Sequence, residues 1–402
     1  MRWPAEGTSR VPYWIYTNDE IYQREQDRIF GGAVWAYVGL AAEIPNSGDF
    51  KRADIGDKPV IVVRDEAGSI HVFENRCAHR GAQFCQQRHG NARQFTCPYH
   101  QWTYDLRGRL RGLPFRNGVK QQGGMPADFD LSEHGLRRLK VTERHGVIFA
   151  SFSDSVDAFG EYLGPTMLHL FDRVFDGRPL KVLGYSRQAI PANWKLMFEN
   201  VKDPYHATLM HAFLITFGLF SAGGVSQLRM DATGRHAAIL FQRSEVNNPG
   251  ELQDLKTFKA NYTLNDASLL DAENEYAEYS NVMQTLWPNV IVQQQLNTLA
   301  TRQLVTRGIG EFELVWTFFG YADDSEALTR RRLLQANLMG PAGFVAIDDS
   351  EVMKFLEAGI APYPEAGSVV EMGGRDWHDE EHIITEAAIR AFYDYYRKIM
   401  GL

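Results

Sequence analysis

The sequence predicts a two-domain α+β protein: a small N-terminal all-β domain followed by a larger domain mixing helices with long strands. Three observations carry this expectation. Apolar residues between positions 34 and 153 alternate in short runs cut by turn signals. From position 154 the pattern lengthens into helical stripes and long strands. The 402-residue chain is long enough for two or three cores, and with 44% hydrophobic and 23% charged residues its composition is globular, not disordered or fibrous.

Taken in order, residues 60–63 and 70–73 flank Asp65-Glu66-Ala67-Gly68, which reads as a hairpin. Residues 102–106, turned by Arg107-Gly108, and residues 147–152 add further strands, and nothing in this block reads as a helix. The small domain is therefore placed at 34–153. The larger domain is placed at 154–402 with 1–33 packed on it. Within it, residues 290–299 read as one strand whose faces carry Gln293, Gln295 and Asn297 on one side and Gln294, Leu296 and Thr298 on the other. Residues 304–321 hold a long strand pattern. Ile384, Ala388, Ala391, Tyr395 and Ile399 form a stripe at helical spacing that predicts a packed C-terminal helix. No internal repeat or Gly/Ser linker interrupts the chain.

Charge narrows the partner. Lys plus Arg is 42 against 50 Asp plus Glu, a net charge of −8 with a pI near 5.9, which argues against nucleic acid and anionic membrane surfaces. The uncharged stretches 204–228 and 280–301 are broken by glycines or by proline and glutamines, so no membrane span is expected. The first ten residues carry no apolar segment of a secretory signal. Three cysteines cannot build a disulfide scaffold, and the odd count fits a reducing, cytoplasmic compartment.

The strongest local signal is Cys77-Ala78-His79, then seventeen residues, then Cys97-Pro98-Tyr99-His100. Two thiolates and two imidazoles could hold tetrahedral zinc, but zinc clips usually pair Cys with Cys. Here each clip mixes one Cys with one His, as a Rieske [2Fe–2S] cluster requires, with two thiolates on one iron and two imidazoles on the other. Cys85 fits neither clip and reads as a small buried apolar residue. The second signal is His206 and His211, with acidic candidates Asp348 and Asp349 downstream. Two histidines and a carboxylate leave open positions on iron(II). Residues five apart diverge by about 140° on an ideal helix, so both imidazoles meet one metal only through a distortion such as a π-bulge. The alternative makes Asp203 an N-cap with Pro204 at N1 and the histidines ordinary polar residues.

These motifs, together with Glu199-Asn200-Val201-Lys202-Asp203-Pro204-Tyr205-His206 and Gly340-Pro341-Ala342-Gly343-Phe344 before the acidic pair, resemble the large (α) subunits of Rieske non-haem iron aromatic-ring-hydroxylating oxygenases over essentially the whole chain. The nearest resemblance is to the branch acting on benzoate-type acids. It implies an antiparallel sheet flanked by helices in the catalytic domain. It implies cluster ligands Cys77, His79, Cys97 and His100, iron ligands His206, His211 and Asp349, and a bridging role for Asp203. It also implies α subunits arranged as a trimer, with a small β subunit giving α₃β₃.

The chain carries no nucleotide-binding Gly-x-Gly-x-x-Gly, so electrons from NAD(P)H are expected through a ferredoxin and a flavin reductase, passing by way of His100, Asp203 and His206. The expected substrates are O₂ and an aromatic carboxylic acid. Salicylate, hydroxylated to gentisate, comes first, and ring dihydroxylation of anthranilate, terephthalate or a substituted benzoate is the alternative. Gln293 and Gln295 are candidate pocket residues, and Arg302 and Arg390 match carboxylate-holding arginines of terephthalate-type relatives. Ile239 and Ala346 stand where salicylate-hydroxylating relatives carry Met and Ser. Of the readings of another class, a Rieske electron carrier has no need of the large second domain with His206, His211 and Asp349, and a zinc-binding protein would be colourless.

Overall fold

The computed structural model describes residues 2–220, 224–242, 256, 258–276 and 278–402. The backbone divides into two units, Gly31–Val156 and a larger one made of Met1–Phe30 with Asp157–Leu402.

The smaller unit is all β apart from short 3₁₀ turns. Its four-stranded antiparallel sheet runs in the order Ile70–Glu74, Lys58–Arg64, Asp49–Ile55, His89–Asn91. A three-stranded sheet joins Lys140–Arg144, Val147–Ser151 and Ala36–Leu40, and a second joins Phe95–Thr96, Thr103–Tyr104 and Leu110–Gly112. Two hairpin turns repeat one device. Asp65 Oδ1 accepts the N–H groups of Ala67 and Ser69, and Asp105 Oδ1 those of Arg107 and Arg109. Gly68 (φ 84°) and Gly108 (φ 77°) then take the left-handed conformation that closes each turn. The core gathers Phe50, Ile61, Phe73, Phe84, Phe95, Trp102 and Tyr104 around the three cysteines.

The larger unit is built on a seven-stranded antiparallel sheet in the order Leu180–Ile190, Glu311–Tyr321, Thr298–Gly308, Val290–Gln295, Asn281–Leu286, Ala237–Phe241, Ser226–Met230. Helix Phe159–Val174 packs on one face, where Gln284 Nε2 donates to Met167 O and Arg173 to Gln294 Oε1. The opposite face carries the site. Cross-strand register lines up Ile239, Met283 and Gln293 in one row and Phe241, Asn281 and Gln295 in the next, which is the alternation a pleated strand imposes. Above this face lie helices Trp194–Asn200, His206–Met210, Ala212–Thr216 and Ala346–Ile360.

A buried ion pair, Lys195 Nζ to Glu25 Oε1 at 2.7 Å with both side chains 0% exposed, ties helix Trp194–Asn200 to helix Asp19–Glu25. Trp194 Nε1 and the Tyr396 hydroxyl also donate to Glu25, so the buried carboxylate is fully engaged. Glu199 accepts from the hydroxyls of Tyr16 and Tyr393, and burial pushes its carboxyl up to about 7.

Two readings of the sequence need correction. Residues 290–299 are not one strand: Leu296 (φ 53°) turns the chain between Val290–Gln295 and Thr298–Gly308, and Asn297 leaves the face of Gln293 and Gln295. The C-terminal helix, Ala387–Met400, buries Ile389, Phe392, Tyr393, Tyr396 and Met400 as well as Ala388 and Ala391. Ile384 precedes it and is 39% exposed, so the stripe read from apolar letters is rotated from the true buried face.

Candidate metal centres

The two Cys/His clips have matching backbones. Cys77 N donates to Ala82 O and Cys77 O accepts from Gly81 N, while Cys97 N donates to Trp102 O and Cys97 O accepts from Gln101 N. The fourth residue after each cysteine is left-handed, Gly81 at φ 74° and Gln101 at φ 57°. Glycine takes that conformation freely and glutamine only under constraint. The result is a pair of loops facing each other with sulfur deep and imidazole shallow: Cys77 and Cys97 are buried, whereas His79 is exposed and His100 half-buried. The two imidazoles meet edge to face with centroids 4.6 Å apart. His79 also stacks on Trp102, 4.8 Å between centroids.

Burial pushes the Cys97 thiol up, with an added contribution from neighbouring Cys77. Burial, His100 and Arg80 together depress His79, leaving a neutral imidazole with a free lone pair. Tyr104 Oη lies 3.2 Å from Cys77 Sγ and accepts from Ala78 N at 3.1 Å. A buried pair of sulfurs opposed by two imidazoles fits a [2Fe–2S] cluster better than a zinc ion, because each metal of the pair finds like ligands. Cys85 sits in the core with its amide donating to Asn75 Oδ1, outside both clips.

In the larger unit His206, His211 and Asp349 each bring a ligand atom within 4.8 Å of the others. Asp349 Oδ1 lies 3.4 Å from His206 Nε2 and 3.3 Å from His211 Nε2. The device that brings both histidines together is a helix break, not the expected π-bulge. Helix His206–Met210 stops at His211 (φ −81°, ψ 83°), and a new helix begins at Ala212. The capping reading also needs correction: Tyr205 is the N-cap and Pro204 lies outside the helix. The Asp203 carboxylate accepts from His206 N at 3.4 Å and lies 3.8 Å from His206 Nδ1, which itself contacts Asp203 O. Burial alone would depress His206, but hydrogen bonds to Asp203 and Asp349 outweigh it and push the imidazole up to about 10. Asp349 is held well below the usual carboxylate range: its two histidine partners overcome the burial that would raise it. Three donors converging on one point, His211 and Asp349 buried and His206 half-buried, fit a divalent iron with open positions.

The three residues border a cavity of about 100 Å³, the order of an apolar cavity of about 150 Å³ that takes one benzene ring. Its apolar wall includes Leu214, Phe220, Ile239, Phe241, Val282 and Met283. Arg302 is the cation of the cavity. It is 2% exposed, stacks 4.1 Å from the Trp316 ring centroid, and donates from Nε to Gln293 Oε1 at 2.7 Å and from Nη2 to the same oxygen. Gln293 Nε2 in turn donates to Gln295 Oε1 at 2.9 Å. Among the described residues no carboxylate forms an ion pair with Arg302; burial pushes it down to about 10, partly offset by the charge of Asp349, leaving it charged at pH 7.

Of the expected pocket residues, Gln295, Arg302 and Ile239 line the cavity, whereas Gln293 stands behind Arg302 and does not. Arg390 is a correction: its guanidinium donates to Asp376 O, Val370 O and Met372 O, fastening a loop, and it is not among the residues lining the cavity. Ala346 is another. It opens helix Ala346–Ile360 with its carbonyl accepting from Gln188, and the neighbouring Val345 lines the cavity instead. The sequence reading missed Asn200, whose Nδ2 donates to Asp349 Oδ1 at 3.1 Å and which borders the cavity. Its place six residues before His206 was the available signal.

A cluster site of two thiolates and two imidazoles in one unit, with a two-histidine, one-carboxylate centre beside a ring-sized cavity in the other, defines an oxygenase of the Rieske non-haem iron class. Residues 34–122 match the Rieske [2Fe-2S] domain, and residues 173–402 match the ring hydroxylating alpha subunit (catalytic domain). The chain belongs to the ring-hydroxylating oxygenase α-subunit family, and its cofactors are the Rieske cluster and a mononuclear iron. It is 54% identical over 407 residues to the salicylate 5-hydroxylase large oxygenase component of Ralstonia sp., covering 100% of this chain and 96% of that protein. It is 44% identical to the anthranilate 1,2-dioxygenase large subunit of Burkholderia cepacia, covering 100% and 96%. A terephthalate 1,2-dioxygenase α subunit of Comamonas sp. is 41% identical, with 100% and 98% covered. The fold matches naphthalene 1,2-dioxygenase from Rhodococcus sp. bound to indole, at TM-score 0.80 and 24% identity over 97% of this chain and 94% of that one. No described helix is long and apolar enough to cross a membrane.

Proposed function

We propose that the protein hydroxylates an aromatic carboxylic acid bearing an ortho hydroxyl, with salicylate converted to gentisate as the first choice. The observation that carries this is Arg302, a buried cation in a ring-sized cavity with no carboxylate in ion-pair contact among the described residues, since Asp349, whose charge reaches it, is engaged by His206 and His211. A buried charge is costly unless paired, so an anionic substrate supplies the missing partner. Arg302 offers a planar guanidinium that grips a carboxylate at two oxygens.

The glutamine pair sharpens the choice. Gln293 Oε1 is taken by two N–H groups of Arg302, so the Gln293 amide nitrogen faces Gln295 and the Gln295 oxygen accepts. Gln295 therefore has its NH₂ to offer the cavity, a donor suited to a phenolic oxygen and unsuited to the amino group of anthranilate, which is itself a donor. The apolar wall of Leu214, Phe241 and Met283 holds the ring and excludes water. Salicylate appears in the name of the 54% identical relative.

In this reading Cys77, His79, Cys97 and His100 hold the cluster and His206, His211 and Asp349 hold the iron. Bound there, the cluster supplies one-electron transfer and the iron supplies binding and activation of O₂. Asp203, beside His206 Nδ1, is the chain's link for electrons arriving from a neighbouring α subunit. The working enzyme is a cytoplasmic assembly with a small β subunit, as α₃β₃, fed by a ferredoxin and its reductase. The test is turnover of salicylate, salicylamide, anthranilate, benzoate and terephthalate with surrogate ferredoxin and reductase, products being identified by mass spectrometry. Gentisate as the main product supports the reading. A cis-diol or catechol from anthranilate or terephthalate, with salicylate inert, replaces it with ring dihydroxylation.

A further inference from the structure

The two histidines beside Asp349 are held in different ways. Both turn Nε2 toward Asp349 Oδ1, so both present Nδ1 outward. His206 Nδ1 meets the carbonyl of Asp203, an acceptor fixed by the backbone three residues away. His211 has no such carbonyl. It is the residue that breaks the helix, and among the described residues its Nδ1 finds one acceptor, Asp348 Oδ2 at 3.4 Å.

Asp348 and Asp349 are consecutive in the first turn of helix Ala346–Ile360, where the amide ends of the helix favour carboxylates. Neighbouring side chains on a helix diverge by about 100°. One turn of chain thus sets Asp349 against the inner edge of the His211 imidazole and Asp348 against its outer edge. Asp348 is 40% exposed and no lysine or arginine pairs with it among the described residues, so its carboxylate is engaged with the imidazole alone.

We infer that Asp348 is a positioning residue for His211. By accepting the Nδ1–H it fixes the tautomer that leaves the Nε2 lone pair free, and it holds the ring at the angle that Asp349 and His206 share. It acts through His211 and touches neither substrate nor metal. The inference rests on His211 being an iron ligand, as proposed above.

The test is anaerobic Fe(II) binding to protein whose mononuclear site has been emptied, by competition with a ferrous chelator. Wild type is compared with Asp348→Ala, Asp348→Asn and His211→Ala. Asp348→Ala is expected to weaken Fe(II) binding by about 10- to 100-fold, the usual effect of removing the partner of a ligating histidine. Cluster absorbance and the melting temperature of the iron-depleted protein stay unchanged. Asp348→Asn keeps an acceptor oxygen without the charge and is expected within about threefold of wild type. Binding by Asp348→Ala within about twofold of wild type, or an Asn variant as weak as the Ala variant, overturns the inference. His211→Ala separates the two claims: if it loses iron while Asp348→Ala does not, the ligand set stands and the positioning role falls.

Discussion

Replacing Arg302 with Gln removes the charge from the cavity but leaves an amide that can still donate to Gln293. In the proposed complex the guanidinium and the substrate carboxylate form a buried pair. Removing one partner of such a pair costs about 3–5 kcal/mol, which weakens carboxylate binding by roughly 10²- to 10⁴-fold. The free protein responds differently. It loses the charged hydrogen bonds to Gln293 and the stacking on Trp316, together worth about 3–5 kcal/mol, and regains the several kcal/mol of desolvation that a buried cation costs. These nearly cancel, so the melting temperature is expected to move by only a few degrees. Anaerobic calorimetry gives the dissociation constants of salicylate and of neutral salicylamide for both proteins. Wild type is expected to prefer the acid strongly, and Arg302→Gln is expected to lose that preference. Equal binding of salicylate by both proteins would refute the argument, as would a variant that unfolds before it loses affinity.

Three further outcomes follow from particular contacts. Tyr104→Phe removes the hydroxyl 3.2 Å from Cys77 Sγ; hydrogen bonds to cluster sulfur raise the potential, so a retained cluster with a lowered midpoint is expected in a redox titration, and an unchanged midpoint rejects the contact. Asp203→Asn keeps an acceptor for His206 N yet loses the charge beside Nδ1, so oxidation of the reduced cluster by O₂ with substrate present should slow by about 10²-fold or more in rapid mixing, while a rate near wild type leaves only the local turn role. Lys202, fully buried with Thr285 Oγ1 at 2.9 Å, is pushed down to about 7 by burial. The unfolded amine titrates near pH 10.4, so the unfolded chain binds the extra proton between these values and folding is penalised increasingly as pH falls, by up to roughly 5 kcal/mol. Lys202→Met should therefore raise the melting temperature more at pH 6.5 than at pH 9.5, and an equal shift at both contradicts the assignment.

Where the physics is local, the sequence was readable. The 60–73 hairpin follows from Asp65 and Gly68, which build the turn without help from the rest of the chain. The Cys/His clips are legible for a similar reason, since ligand chemistry fixes residue type and spacing together. The break at His211 was not legible, because no Gly or Pro announces it and both neighbouring segments favour helix. Leu296 misled the strand reading: alternation continues through it although its backbone turns left-handed. In the C-terminal helix the apolar letters pointed to the wrong face because Arg390 and three tyrosines or phenylalanines are buried too. Arg390 and Arg302 look alike in sequence, and only tertiary structure tells that one donates through Nε and Nη1 to loop carbonyls while the other faces the cavity. Asn200 went unread because an amide is not a metal ligand by type, and its role appears only when Asp349, far away in sequence, folds beside it.

The central claim is that this chain joins a Rieske cluster to a mononuclear iron in order to hydroxylate an aromatic acid held by Arg302. A single-turnover experiment tests it most directly: the purified protein, with both sites loaded and the cluster reduced, is mixed with ¹⁸O₂ and salicylate, and the products are analysed by mass spectrometry. Gentisate carrying one labelled oxygen is expected, formed as the cluster oxidises, with no product from His211→Ala at full cluster content. Cluster oxidation without any hydroxylated acid from salicylate or the related benzoates, in protein with both metals in place, would contradict it.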